Sequence, residues 1–353
     1  AKRLIECAMA LIGALPGGLA LVNVVSCMLF GAISGSAVAT TSAIGSFMLP
    51  EMKKAGYEPN FSAAVTAAAS TTGMLIPPSN ILIVYAIASG GVSIAALFMA
   101  GYIPGIMVGL ALMLVCFIYA KMKGYPLSPR LPIKVVVEKT IAALPSLFLI
   151  FLVIGGIVGG VFTATEAGAI AVVYSLLLAV VFYKEVDAKA LPDIFLKAAE
   201  TTAIVMLLIA ASTAMSWLLS FENIPQTLSN ALLSISDNPL LILLLINLLL
   251  IVVGAFLDMT PAVLIFTPIF LPVALELGMS ELQFGIMLVL NLSIGLCSPP
   301  VGAVLFITCA IAKTKLENII RPLIPLYVAM FVVLMLVTYV AWFSEALPRA
   351  LGF

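Results

Sequence analysis

Gly73-Met74-Leu75-Ile76-Pro77-Pro78 returns in altered form as Gly295-Leu296-Cys297-Ser298-Pro299-Pro300, each copy in the middle of a long apolar run. In lipid every backbone N–H and C=O needs a partner inside the protein, so a helix is broken there mainly where the break lines a cavity. Two such breaks at matching places in two halves of a chain point to a carrier whose binding site lies where the breaks meet.

The composition fits that reading. The chain is 63% hydrophobic and 9% charged, with a mean hydropathy of +1.27, against about half apolar and a quarter charged in a soluble domain. It contains no histidine, which removes Ser-His and Cys-His catalysis, histidine-ligated metals and histidine proton relays. Cys7, Cys27, Cys116, Cys297 and Cys309 are scattered through apolar stretches without metal-site spacing. No P-loop pattern is present, so ATP hydrolysis is not expected, and neither is nucleic-acid binding. The chain starts at Ala1, already inside an amphipathic segment, and further N-terminal spanning helices are expected before it.

Apolar segments run through 19–50, 61–89, 92–120, 141–161, 163–183, 201–220, 239–275, 282–312 and 322–343. About 20 residues cross a bilayer, so 19–50 and 239–275 are too long for one crossing and have no charged loop in which to turn. Ser34-Gly35-Ser36 and Asp258-Met259-Thr260-Pro261 interrupt them, and each segment reads as a re-entrant hairpin. Basic residues cluster at Lys53 and Lys54, at Lys121, Lys123, Arg130, Lys134 and Lys139, at Lys184, Lys189 and Lys197, and at Lys313, Lys315 and Arg321; the connections 89–93, 221–238 and 276–281 have none. Placing the basic loops in the cytoplasm satisfies every connection and opens the two hairpins toward opposite faces.

The expected fold is thus an all-α polytopic membrane protein, one transmembrane unit over 1–353 built as an inverted repeat. The first repeat spans 19–122 (hairpin 19–50, broken helix 61–89). Residues 123–238 supply scaffold helices and, around Glu138, Asp187, Asp193 and Glu200, amphipathic helices on the cytoplasmic surface. The second repeat spans 239–353 (hairpin 239–275, broken helix 282–312).

Paired prolines free several carbonyls. With the C-terminal end of a half-helix dipole and nearby hydroxyls, those carbonyls suit a small hard cation such as Na⁺. At the first break the candidates are Pro77, Ser79 and Asn80, facing Ser34, Gly35 and Ser36. At the second they are Gly295, Ser298 and Pro299, facing Gly254, Asp258 and Thr260. Asp258 is the only acid at hairpin depth, and a membrane carboxylate suggests function. It can ligate a cation, cap the helix that follows, or carry a proton. Glu166 reads as the first-turn acid of a helix capped by Thr163 or Thr165, with a partner contact as the alternative. No Lys or Arg lies at depth near either break, so an anionic substrate would rely on helix N-termini, hydroxyls and bound cations. Each positive charge moved inward then adds about 2.3 kcal/mol per 100 mV.

Leu15-Pro16-Gly17-Gly18-Leu19-Ala20, Phe30-Gly31-Ala32-Ile33-Ser34-Gly35-Ser36 and Ile76-Pro77-Pro78-Ser79 resemble the large membrane subunit of TRAP (tripartite ATP-independent periplasmic) transporters, DctM-like. Thr165-Glu166-Ala167, Phe284-Gly285 and Gly295 with Pro299-Pro300-Val301-Gly302 match as well, and Ser298 stands where threonine is common in that family. The resemblance implies an elevator-type, Na⁺-driven importer of a small organic acid in the bacterial inner membrane, the acid being a C4-dicarboxylate, sialic acid or a similar carboxylate. It also implies a small four-helix membrane subunit and a periplasmic binding protein as partners. Ion sites map onto Ser34, Gly35, Ser36, Pro77, Ser79 and Asn80, and onto Gly254, Asp258, Gly295, Ser298 and Pro299. Substrate contacts are expected from Ser36, Ser79, Asn80, Thr260 and Ser298. The alternative is a stand-alone ion-coupled dicarboxylate or citrate carrier that needs no binding protein. An intramembrane enzyme would have only Asp258 to work with.

Overall fold

The computed structural model describes residues 2–125, 131–224, 227, 231, 238–299 and 301–353; Arg130, Pro300 and most of the 221–238 connection lie outside the described residues. All regular structure among the described residues is helical. Helix α1 is Lys2–Ile12, α2 Gly18–Ser34, α3 Ala37–Lys54, α4 Pro59–Ser70 with a 3₁₀ turn Thr71–Met74, α5 Asn80–Ala88, α6 Ile94–Lys123, α7 Ile133–Val158 and α8 Ala164–Leu176. After these come α9 Leu191–Phe221, α10 Pro239–Phe256, α11 Met259–Glu276, α12 Glu281–Leu296, α13 Ala303–Ala312, α14 Leu316–Tyr339 and α15 Trp342–Ala350. Among the described residues, seven helical stretches are long and apolar enough to cross a bilayer: α6, α7, α8 with its continuation to Phe182, α9, α10, α11 and α14. This is an all-α, multi-pass membrane architecture.

Both long segments are hairpins. Helix α2 stops where Gly35 takes the left-handed φ of 60° and donates its N–H to Gly31 at 2.7 Å, a conformation glycine adopts without a Cβ clash. Helix α3 starts at Ser36, whose hydroxyl accepts from Ala39 N at 3.3 Å. In the second hairpin α10 ends at extended Leu257 and α11 begins at Asp258. Both apolar runs that follow are broken: α4 and its 3₁₀ turn give way to α5 across 75–79, and α12 to α13 across 297–302.

The hairpins open at opposite ends of the molecule. Gly17, at the root of α2, lies against Cys116 and Ala120 of α6. At that same end Tyr57 stacks on Tyr125 at 4.2 Å, Phe61 on Tyr119 at 4.0 Å, and Thr314 Oγ1 donates to Asn60 Oδ1 at 2.6 Å. The roots of the second hairpin lie at the other end. There Tyr339 Oη donates to Leu240 O at 2.8 Å, Ser280 bonds Glu345, and Tyr85 Oη donates to Glu281 O at 2.7 Å. The basic connections around Lys53, Lys123 and Lys313 therefore share one end.

The stretch around Lys184 is offset from them. Tyr183 and Glu185 line a 170 Å³ pocket with Phe30 and Ile33, near the first hairpin's tip. The expected surface helices also differ. Residues 133–158 and 191–221 are each one continuous helix, because Lys, Glu and Ala at the charged-to-apolar junctions are good helix formers and nothing there breaks the ladder.

The core lies between the broken helices and the hairpins. Every residue of α12 from Gln283 to Leu296 is buried, and α4 buries Ala63, Ala64, Ala67, Ala68 and Ala69. Small side chains let membrane helices approach closely. Gly31 of α2 meets Gly73, where a Cβ on Gly73 would lie 2.2 Å from the Gly31 Cα; Gly254 of α10 meets Gly295 in the same way, at 2.5 Å. The two pairs stand four residues before the two hairpin tips and four before the two Pro-Pro steps. Helix α9 has no fully buried residue in its apolar stretch; Val205, Leu208, Ile209 and Ser212 are half-buried. Glu166 and Thr163 form a capping box, with Thr163 N donating to Glu166 Oε2 at 2.8 Å and Glu166 N to Thr163 Oγ1 at 3.3 Å.

Candidate functional site

Both hairpin tips and the helix ends that flank both breaks border one cavity of about 660 Å³, within the usual size range of small-molecule sites. Its wall includes Gly35 and Ser36 from the first tip, Met74 and Asn80 on either side of the first break, Asp258 and Thr260 from the second tip, and Leu296 just before the second break. Thr201 and Thr202 of α9 close the remaining side. Among the described residues, no Lys or Arg lines it.

Three helices begin at this cavity. Ser36 is the N-cap of α3, Ser79 of α5 and Asp258 of α11, and the first-turn residues of all three face the opening. Helix N-termini carry partial positive charge and unpaired N–H groups. Neither α5 nor α11 has a side-chain cap, so their first-turn N–H groups stay available to an anion. The capping reading of Asp258 is therefore corrected. Its carboxylate accepts no N-cap bond and is exposed in the cavity wall.

The first tip is a ring of oxygens. Ser34 Oγ lies 3.1 Å from Thr40 Oγ1, Thr40 Oγ1 donates to Ser36 O at 2.8 Å, and Ser36 N reaches Ser34 Oγ at 3.4 Å. Across from it Asn80 closes on Gly35, where an added Cβ would come within 3.2 Å of the Asn80 amide. Ser79, fully buried, turns its hydroxyl inward and donates to Met74 O at 2.5 Å. Pro77 is buried behind the cavity wall.

The second break is braced from outside. Tyr327 of α14 donates its hydroxyl to Cys297 O and lies 3.2 Å from Ser298 Oγ. Ser298 Oγ donates to Ile294 O at 3.0 Å, and Gly302 N returns to Ser298 O at 3.0 Å. The cavity wall thus holds Gly35, Ser36, Asn80, Asp258 and Thr260, whereas Ser34, Pro77, Ser79, Gly254, Gly295, Ser298 and Pro299 lie behind it. Chemically, the arrangement offers carbonyls and hydroxyls suited to a hard cation beside N–H donors suited to a carboxylate.

Sequence reasoning missed Thr40, Thr201, Thr202 and Tyr327. A signal existed only for Tyr327, a phenol in the otherwise apolar run after Pro325. Such a group needs a hydrogen-bond partner when it is buried.

Residues 1–343 match the family model for the DctM component of the tripartite ATP-independent periplasmic transporter. Among similar proteins, the chain is 50% identical over 348 residues to the uncharacterized protein YgiK of Salmonella typhimurium, covering 99% of this chain and 80% of that one. It is 39% identical over 352 residues to the C4-dicarboxylate TRAP transporter large permease protein DctM of Pseudomonas aeruginosa, covering 100% and 82%. It is 36% identical over 339 residues to the 2,3-diketo-L-gulonate TRAP transporter large permease protein YiaN of Escherichia coli, covering 96% and 80%. The relatives with assigned roles are permeases rather than enzymes. With its spanning helices, this is a multi-pass protein of the bacterial inner membrane, and the chain belongs to the DctM family of TRAP transporter large permeases.

Proposed function

We propose that this permease imports a small organic acid with Na⁺ as coupling ion, receiving it from a periplasmic binding protein and working beside a small membrane subunit. The observation that carries the reading is the shared cavity: two hairpin tips, the helix ends flanking two breaks and three helix N-termini border it, with no Lys or Arg among the described residues of its wall. A carboxylate placed there depends on helix ends and bound cations for its counter-charge, which couples acid to ion. One Na⁺ is assigned to Ser34, Gly35, Ser36, Pro77, Ser79 and Asn80, and another to Gly254, Asp258, Gly295, Ser298 and Pro299. The substrate is assigned to Ser36, Asn80 and Thr260, which line the cavity; Ser79 and Ser298, also expected to touch it, lie behind the wall with their hydroxyls on Met74 O and Ile294 O. The partners are inferred from the tripartite periplasmic system in the family description.

An elevator motion is favoured by the offset between units. The first hairpin's tip stands level with the turn after α8, near Tyr183 and Glu185, while its roots extend past that turn toward the basic end. A hairpin unit displaced along the membrane normal would have this arrangement.

The test is uptake of radiolabelled carboxylates into proteoliposomes holding the permease, its small subunit and its binding protein. Uptake is expected to require Na⁺ outside and to collapse in Asp258→Asn. Equal uptake with K⁺ or choline replacing Na⁺ would refute the ion assignment, and full uptake without binding protein would refute that partner.

A further inference from the structure

Taken as the substrate site, as proposed above, the cavity has two chemically different walls. The hairpin side is rich in hydrogen-bond donors: the uncapped first turn of α5, the side-chain amide of Asn80 and the hydroxyls of Ser36 and Thr260. Ser36 Oγ already accepts from Ala39 N, which leaves its O–H free to donate. The α9 side is otherwise apolar, with Val205, Leu208 and Ile209, and its only polar groups are Thr201 and Thr202. Both of these spend their protons inside the helix, Thr201 Oγ1 on Lys197 O at 2.9 Å and Thr202 Oγ1 on Ala198 O at 2.8 Å. A hydroxyl has one proton and two lone pairs, so what α9 offers the cavity is acceptors alone.

A ligand carboxylate has only acceptors and is matched by the hairpin wall, but is mismatched against α9, where lone pair would meet anion. A ligand hydroxyl has a proton to give and fits Thr201 and Thr202. From this polarity we infer that the substrate is a polyhydroxylated monocarboxylate, an aldonate- or uronate-type sugar acid, held by its carboxylate at the α5 N-terminus and read by its hydroxyls at Thr201 and Thr202. An unsubstituted C4-dicarboxylate puts its second carboxylate against the threonine lone pairs and is rejected. Sites built to pair a particular polar group discriminate strongly against analogues that leave it unpaired.

The test is heat stabilisation of the purified permease complex in Na⁺, titrated separately with D-gluconate, D-glucuronate, succinate and fumarate. The sugar acids are expected to saturate at about tenfold or more lower concentration than the dicarboxylates. Thr201→Val and Thr202→Val keep the side-chain shape and remove the acceptor. Each is expected to raise the half-saturating gluconate concentration about tenfold, the equivalent of one lost hydrogen bond, with half-saturating Na⁺ unchanged and Thr201→Ser close to the parent. Succinate or fumarate binding as tightly as the sugar acids would overturn the inference while leaving the transporter reading intact. So would valine variants that bind gluconate normally. If no carboxylate stabilises the complex in Na⁺, the function proposed above fails and this inference falls with it. A valine variant that does not fold leaves the parent's gluconate-to-succinate ratio to decide.

Discussion

The two broken helices carry matching glycine contacts yet are held open by different means. At the first, α6 comes in through bare backbone: a Cβ on Gly101 would lie 2.3 Å from Leu75 O, and one on Gly105 2.6 Å from the Ile76 side chain. The break then satisfies itself, Ser79 donating to Met74 O. At the second, α14 comes in through a large side chain, and Tyr327 supplies the donor for Cys297 O. One break is closed by close approach and the other by a prop. The difference follows from composition, since Ser79-Asn80 corresponds to Val301-Gly302. The hydroxyl that the second break does have, on Ser298, is spent on Ile294 O, so its Cys297 carbonyl borrows a donor, because an unpaired carbonyl in an apolar interior is costly.

The largest effects are expected where backbone meets backbone. Gly73→Ala drives a Cβ to 2.2 Å from the Gly31 Cα, with no flexible side chain to yield, and Gly295→Ala reaches 2.5 Å from the Gly254 Cα. Overpacking of this kind should cost about 3 kcal/mol at Gly73 and somewhat less at Gly295. Loss of the thermal transition in purified protein would register it. Gly168→Ala, whose Cβ would meet open space, is the control. If Gly295→Ala proved harmless while Gly73→Ala did not, the glycine pairing would not be a shared feature of the two halves.

Tyr327→Phe separates the breaks next. It strips a donor from the Cys297 carbonyl, which should cost about 2 kcal/mol. Because it loosens only the second break, half-saturating Na⁺ should rise while the first tip keeps its oxygen ring. Ser79→Ala is the counterpart at the first break. It removes one neutral bond at a fully buried site, and a loss of about 1 kcal/mol is expected by the same thermal assay. Equal changes in Na⁺ dependence for both variants would mean that the breaks do not hold separate ions.

What was legible in the sequence follows from which forces are local. Pro77-Pro78 and Ser298-Pro299 mark breaks because proline acts on its own turn. Lys53, Lys123 and Lys313 mark one end because charge avoids lipid at any tertiary arrangement. For Asp258 the sequence left three roles open, ion ligand, helix cap or proton carrier; the structure removes the cap and sets the residue in the cavity wall, a choice made by the surrounding helices. The Thr201 and Thr202 wall was hidden for the same reason, since nothing near it in sequence says that α9 passes both hairpin tips. The continuous α7 and α9 were misjudged because charge was read as a boundary, whereas Lys and Glu extend a helix beyond the lipid without interrupting it.

The smallest expected effect lies at the feet of the two broken helices, where the comparison can be made by pH. The first helix stands on Glu58, whose carboxylate accepts from Lys123 Nζ at 2.8 Å and Tyr119 Oη at 3.0 Å, with Arg321 lining the same polar pocket. The second is anchored through Gln283, whose amide donates to Val337 O at 3.0 Å and Thr338 O at 2.8 Å and has no proton to gain in this range. The bond from Lys123 outweighs the desolvation that opposes it and, with the further bond from Tyr119, holds the Glu58 carboxyl below its ordinary value of 4.5. A depressed carboxyl pKa means that the contribution is fully present above 4.5 and is lost as pH falls through the lower folded value. The pair is half exposed, which limits it to under about 1 kcal/mol. Glu58→Gln should therefore lower stability slightly at pH 7, and the deficit should shrink as the pH falls below about 4.5 and vanish below the lower folded value. Choline chloride at high concentration should shrink the deficit as well, by screening an exposed pair. Gln283→Ala should cost more than Glu58→Gln and show neither dependence, because what it removes is buried and uncharged.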